Sequence, residues 1–197
     1  SQLTPYQEVA SGKDNEKFCG DYGLATPGFI SQTPQMAMEK TASVATALPG
    51  APINYTVAFT NLGPVAVGLP ADNVPLVVQD HIPTGTVYVA NSALTNNTLP
   101  AGVTAYTVLF STNNGVIWQN SEPVAATNVT DIQWWLSDPM PTNTFGRVRF
   151  SVQINNPYNR LNPQILNVAG LGFGNAAPFL TDDATTLVIR SEEHTSE

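Results

Sequence analysis

An all-β fold, a sandwich or barrel of antiparallel strands, is what this sequence predicts, and three observations carry the prediction. After its first forty residues the chain is rich in Thr, Val, Asn, Pro and Gly and poor in Lys, Glu and Leu, the reverse of what helices favour. Its apolar residues recur with period two, because successive side chains of a strand point to opposite faces. Turn-forming residues separate these runs at nearly regular intervals.

The 197 residues, 42% hydrophobic and 11% charged, suffice for one substantial core. A formal net charge of −8 with only seven Lys and Arg argues against nucleic acid as a partner. No apolar run approaches the roughly 20 residues of a membrane span. A chain that opens at Ser1 without Met fits either a removed export signal or a trimmed segment; low Cys and Lys with abundant Thr and Asn suit an exterior protein.

Residues 1–38 read as an extended leader, carrying Gly12, Gly20, Gly23, Gly28, Pro5, Pro27 and Pro34 without sustained periodicity. From Glu39 the strand pattern begins. In "INYTVAFTN", Ile53, Tyr55, Val57 and Phe59 share one face; in "VRFSVQIN", Val148, Phe150, Val152 and Ile154 do the same. Further strands are expected at "VPLVVQ", "TVYVA", "AYTVLFS", "GVIWQ", "IQWWLS", "ILNVAGLGF" and "ATTLVI". Asn114-Gly115, between apolar runs, predicts a tight hairpin. Gly63-Pro64 and Pro83-Thr84-Gly85 set turns, since Pro fixes φ and Gly accepts conformations closed to other residues.

The stretches "MEKTASVATALPGAPINYTVAFTNLGPVAVG" and "NVPLVVQDHIPTGTVYV" resemble the opening of the DUF-eleven repeat family, the conserved repeat domain of bacterial and archaeal surface proteins. Lys40, Thr41, Ser43, Pro49, Gly50, Tyr55, Thr56, Asn61, Gly63, Pro64, Asp80, Pro83, Gly85 and Tyr88 fall in the order of that pattern. "FSTNNGVIW" is similar to the family's hairpin before a Trp, and "WWLSDPMPTNTFGRVRFSVQI" to its closing strand. The resemblance spans about residues 39–189 and departs from the family in the insertion "VAVGLPADNVP" and at His81-Ile82. It implies an Ig-like antiparallel β-sandwich with a structural or adhesive role outside the cell, usually without known catalysis.

Candidate chemistry is sparse. Cys19 is the only cysteine, so no internal disulfide exists; it is a free thiol or an intermolecular bridge. His81 reads as a partly exposed residue at a strand end, and a Cys19–His81 nucleophile pair is the remote enzymatic alternative. The acids Asp72, Asp80, Asp131 and Asp138 are scattered; Asp182 and Asp183 are the first candidates for a structural calcium, although no calcium-loop motif is present. No other cofactor is expected. Lys40 on the first strand could meet Asn167 or Asn175 on a late strand and, with a buried acid and a depressed lysine pKa, form an intramolecular isopeptide bond. Of the adjacent Trp134 and Trp135, which must face opposite sides, at least one belongs to the core; Trp118, Trp134 and Trp135 are the residues that would stack on a sugar. The sequons at Asn54, Asn96 and Asn128 are no more than this composition produces by chance.

A sheet with an open edge accepts a strand from a neighbour. The leader segment "YGLATPGFISQ" offers Tyr22, Leu24, Phe29 and Ile30 as plugs, with Cys19 near the junction and Pro27 limiting the pairing. Such head-to-tail contacts do not close on themselves and generate fibres. The expectation is therefore an extracellular, self-assembling filament or layer subunit, its partner another copy of itself; the alternative is an adhesin module binding a surface glycan or protein through its loops. Residues 190–197, "RSEEHTSE", resemble a translated sequencing adapter, so Ile189 is expected to be the last residue that can be trusted, with room after it in the natural protein for further residues, repeats or a wall-anchoring signal; without that tail of three acids and one base the net charge is −6.

Overall fold

The computed structural model describes residues 35–72 and 74–189. The predicted leader residues Cys19, Tyr22, Leu24, Phe29 and Ile30, like the tail from 190 to 197, lie outside the described residues. Ten strands follow in chain order: β1 (Met36–Ala42), β2 (Thr46–Ala47), β3 (Pro52–Asn61), β4 (Leu76–His81), β5 (Thr86–Tyr88), β6 (Tyr106–Ser111), β7 (Asp131–Leu136), β8 (Phe145–Ile154), β9 (Gln164–Phe173) and β10 (Leu180–Val188). They form two sheets, β1-β3-β8-β5 and β2-β10-β9-β4-β7-β6, an all-β Ig-like sandwich as expected.

Alternation builds the core. Ile53, Tyr55, Val57 and Phe59 of β3 meet Val148, Phe150, Val152 and Ile154 of β8 within one sheet, and all eight are buried. The opposing sheet supplies Leu76, Val78, Ile132, Trp134 and Leu136. Burying such a side chain stabilises the fold by about 1.5–3 kcal/mol. One ring contact spans the gap between the sheets, Trp134 lying 6.1 Å from Phe150, and within its own sheet Phe150 lies 5.3 Å from Tyr55. Trp134 is fully buried and donates its indole N–H to Ala93 O at 3.1 Å, whereas Trp135 is half-buried on the other face, as its adjacency requires.

Four expectations are corrected. The boundary placed after residue 38 falls inside β1, because Met36 and Met38 already pack against the core. The sandwich is not wholly antiparallel, since β2 pairs in parallel with Leu187 and Val188 of β10. "GVIWQ" is not a strand: only Gln119 reaches the ladder, exchanging two hydrogen bonds with Phe110, while Val116 and Ile117 stay 75% and 69% exposed. Nor is the Asn114-Gly115 turn a tight hairpin, although φ is positive at both residues, 58° and 76°. Ser111 Oγ accepts the N–H groups of Asn113 and Gly115, and Asn113 Oδ1 accepts that of Ile117. These local side-chain bonds hold the backbone in a wide loop that competes with strand pairing.

The Pro83-Thr84-Gly85 turn forms as predicted. Thr86 N and Oγ1 both donate to Pro83 O, and Gly85 adopts φ 92°. The Gly63 turn rests on the buried Asn61, whose amide accepts from Gly63 N and donates to Val65 O and Met140 O.

Candidate functional site

Three polar residues occupy core-facing positions on three strands. In β1 the inward phase runs Met36, Met38, Lys40; in β4 it runs Leu76, Val78, Asp80; in β9 it runs Ile165, Asn167, Ala169. All three polar residues are at most 4% exposed. Asp80 pairs with Ala169 across β4 and β9, which puts Asn167 one step along the same face of the neighbouring strand. Lys40 approaches from the other sheet, where β1 is an edge strand.

Lys40 Nζ donates a hydrogen bond to Asp80 Oδ2, and the side chains of both residues are fully buried. The ammonium position lies 4.8 Å from the ring centroid of Tyr55 and 5.4 Å from that of Phe150, so aromatic faces close the site from the β3–β8 side. The Lys40 backbone N–H, on the open edge of β1, donates to Asp182 Oδ2 at 2.7 Å.

Burial governs the protonation of this group. Desolvation lowers the pKa of Lys40 against the opposing fields of Asp80 and Asp182. Desolvation also raises the pKa of Asp80 to about 6, against the favourable influence of Lys40, Asn167 and His81. Both shifts favour the neutral pair, an amine facing a carboxylic acid. Tyr55 is pushed above its ordinary range by burial and by the nearby Asp80.

Hydrogen bonding here is incomplete. Asn167 lies close enough to Asp80 for its amide to favour the carboxylate, yet neither Asn167 Nδ2 nor Oδ1 has a well-formed hydrogen bond. Asp80 Oδ1 and the Tyr55 hydroxyl are also without one. Among the described residues only Asp131 Oδ2 shares this condition, so four of the five buried, unpartnered side-chain atoms belong to this group. Leaving a buried polar atom unpaired costs about 1–3 kcal/mol. A carboxamide with free atoms, an amine and a carboxyl group thus share one dry compartment.

The other candidates do not converge. Asp182 and Asp183 occupy alternate faces of β10, with Asp182 engaged by Lys40 N, and among the described residues no group of three His, Cys, Asp or Glu could hold a metal ion. His81 is half-exposed at the end of β4 and its Nδ1 lies 2.9 Å from Asp131 Oδ1, a contact that raises its pKa. Ser111, the cross-strand partner of Asp131 on the side away from His81, donates its hydroxyl proton to Asn113 Oδ1 rather than to the imidazole. Asn175, the alternative to Asn167, is exposed in the turn before β10.

Sequence reasoning had Lys40 and Asn167 as candidates and missed Asp80 as the acid between them. The available signal was phase: each is a polar residue in register with the apolar face of its strand.

No family model matches the chain, and no curated protein does. Among solved structures, it is similar to the full-length major pilin SpaD of Corynebacterium diphtheriae, with 16% identity and a TM-score of 0.45 over 77% of this chain and 33% of that one. It is also similar to a non-cellulosomal cohesin of the archaeon Archaeoglobus fulgidus, with 13% identity and a TM-score of 0.40 over 79% and 93% of the two chains. A third similarity is to ACE19, the collagen-binding subdomain of the Enterococcus faecalis surface protein ACE, with 9% identity and a TM-score of 0.40 over 76% and 95%.

Proposed function

We propose that this chain is an extracellular structural protein, the subunit of a surface filament or layer in which the N-terminal segment of one copy adds a strand to the sheet of the next. The observation that carries this reading is the open edge of β6. Phe110 turns its N–H and C=O away from β7 to pair with Gln119, so Tyr106 and Val108, in the same phase, also aim their backbone groups outward. Beside that edge runs a groove of about 570 Å³ whose apolar lining is Leu94, Leu99, Tyr106 and Val108. An incoming strand would complete the ladder with its backbone and fill the groove with alternate side chains.

Two further points support the reading. The sequence resembles the pattern of a surface-protein repeat over about residues 39–189, and the Lys40–Asp80–Asn167 group is buried away from solvent. Electron microscopy of the purified full chain tests the proposal. Polymers are expected. Deleting residues 1–34, which leaves β1 whole, abolishes them, and so does Val108→Pro, which removes an outward-facing N–H without touching the β6–β7 ladder. A full chain that stays monomeric at high concentration, or a Val108→Pro variant that polymerises normally, overturns this reading in favour of a loop-based binding module.

A further inference from the structure

We propose that Lys40 and Asn167 join in an intramolecular amide bond, with Asp80 as the acid–base group, so that the mature domain carries a covalent link between its two sheets. The inference goes beyond the assembly reading and does not depend on it.

Geometry supplies the argument. A lysine, a carboxyl group and a carboxamide from three strands meet in a compartment with no solvent access, and Lys40 is already bonded to Asp80. The carboxamide, next to Asp80 on the adjacent strand, has no well-formed hydrogen bond that would resist its conversion. Tyr55 and Phe150 cover the amine and exclude water, which removes hydrolysis as a competing reaction. A fold kept together only by non-covalent contacts gains nothing from unpaired polar atoms at its centre; a reaction site accounts for the three on Asp80 and Asn167.

The chemistry balances without a cofactor. Proton transfer from the Lys40 ammonium to the Asp80 carboxylate gives an amine and a carboxylic acid, the forms that burial favours. The Nζ lone pair attacks Asn167 Cγ while the Asp80 carboxyl group hydrogen-bonds the carboxamide oxygen and stabilises the developing oxyanion. In the tetrahedral intermediate, Asp80 accepts a proton from Nζ and delivers one to the departing nitrogen. The Cγ–Nδ2 bond breaks, the Cγ–Nζ bond remains, and one ammonia leaves; no electrons change hands. Proximity drives the step, since the three groups are held by two sheets rather than brought together by diffusion.

Mass spectrometry of the purified full chain tests the proposal. The expected result is an intact mass lower than that of the sequence by one ammonia, with a branched peptide joining the segment around Lys40 to that around Asn167. Locating the branch matters because Asn114-Gly115 can lose ammonia on its own by cyclising. Lys40→Arg, Asn167→Ala and Asp80→Ala are each expected to show the full mass, and the peptide map of the unsubstituted chain decides the matter even if these variants fold poorly. An unsubstituted chain at full mass, or ammonia loss confined to Asn114, overturns the bond; a fully linked Asp80→Ala chain overturns the role of Asp80. Polymerisation of the Asn167→Ala chain is scored separately and bears only on assembly.

Discussion

Lys40 on the edge strand of one sheet donates its side-chain hydrogen bond to Asp80 on an inner strand of the other, with both side chains wholly buried. A buried pair of this kind is expensive to desolvate and is no source of net stability on its own account. Its two partners are shifted in opposite directions, each toward its neutral form. A pH dependence follows, and it is measurable where no crosslink can form.

Burial pushes the Asp80 carboxyl in the folded chain up to about 6, from 3.8 for a free aspartate, and an Asn167→Ala chain keeps that upward direction because it loses an amide that favours the carboxylate. The folded state therefore holds its proton more tightly, so the contribution of Asp80 is fully present below pH 3.8 and is lost as pH rises through about 6. The stability difference between Asn167→Ala and Asn167→Ala/Asp80→Asn, from urea unfolding at a series of pH values, should fall across that window. A flat difference would show that Asp80 is not desolvated in the fold.

His81 should act at higher pH and more weakly. Its hydrogen bond to Asp131 raises its folded pKa above 6.5, so its stabilisation is present below pH 6.5 and disappears as pH rises through the folded value. Because the imidazole is half in solvent, the effect should stay under about 1 kcal/mol. His81→Gln should remove that part of the pH profile, as followed by thermal melts between pH 5 and pH 8, approximate limits that bracket the titration.

Asn61→Ala should cost about 2–4 kcal/mol, because it leaves the buried Gly63 N–H and the Val65 carbonyl without this partner and takes one of two donors from the Met140 carbonyl, which keeps Val67 N–H. Chemical denaturation should show a lower midpoint at an unchanged slope. Asn61 and Asn167 are both buried asparagines, and the contrast is in their bonding: the Asn61 amide makes three hydrogen bonds, the Asn167 amide no well-formed one.

Gly85→Ala should be more damaging than Gly115→Ala, although both glycines have positive φ. A Cβ at Gly85 would lie 2.7 Å from the Tyr158 ring, whereas at Gly115 the nearest atom is 3.4 Å away on Trp118. Backbone strain of about 1 kcal/mol applies to both, and only the first adds a steric clash. Melting temperatures of the two variants, compared side by side, check the order.

Much of this was legible in the chain. Period-two alternation located β3, β4, β7, β8 and β9 because their apolar residues outnumber any polar intruder on the inward face. It failed at the start of β1, where a buried Lys40 reads as a solvent-facing residue, and at "GVIWQ", where Ser111 and Asn113 take the backbone into a loop that no periodicity announces. The resemblance to a surface repeat had already placed Lys40 and Asp80 within its pattern, without bringing them to one point.

What the sequence determined by itself was therefore the set of strands, the face each buries and the residue types available for chemistry, since these depend on local alternation and turn geometry. Only the tertiary structure decided which of two asparagines and which of several aspartates meets Lys40, because β1, β4 and β9 are far apart in the chain and converge solely through the pairing order of the two sheets. Register then settles the matter: a shift of one residue in β9 would turn Asn167 to solvent and bring Val168 into the core.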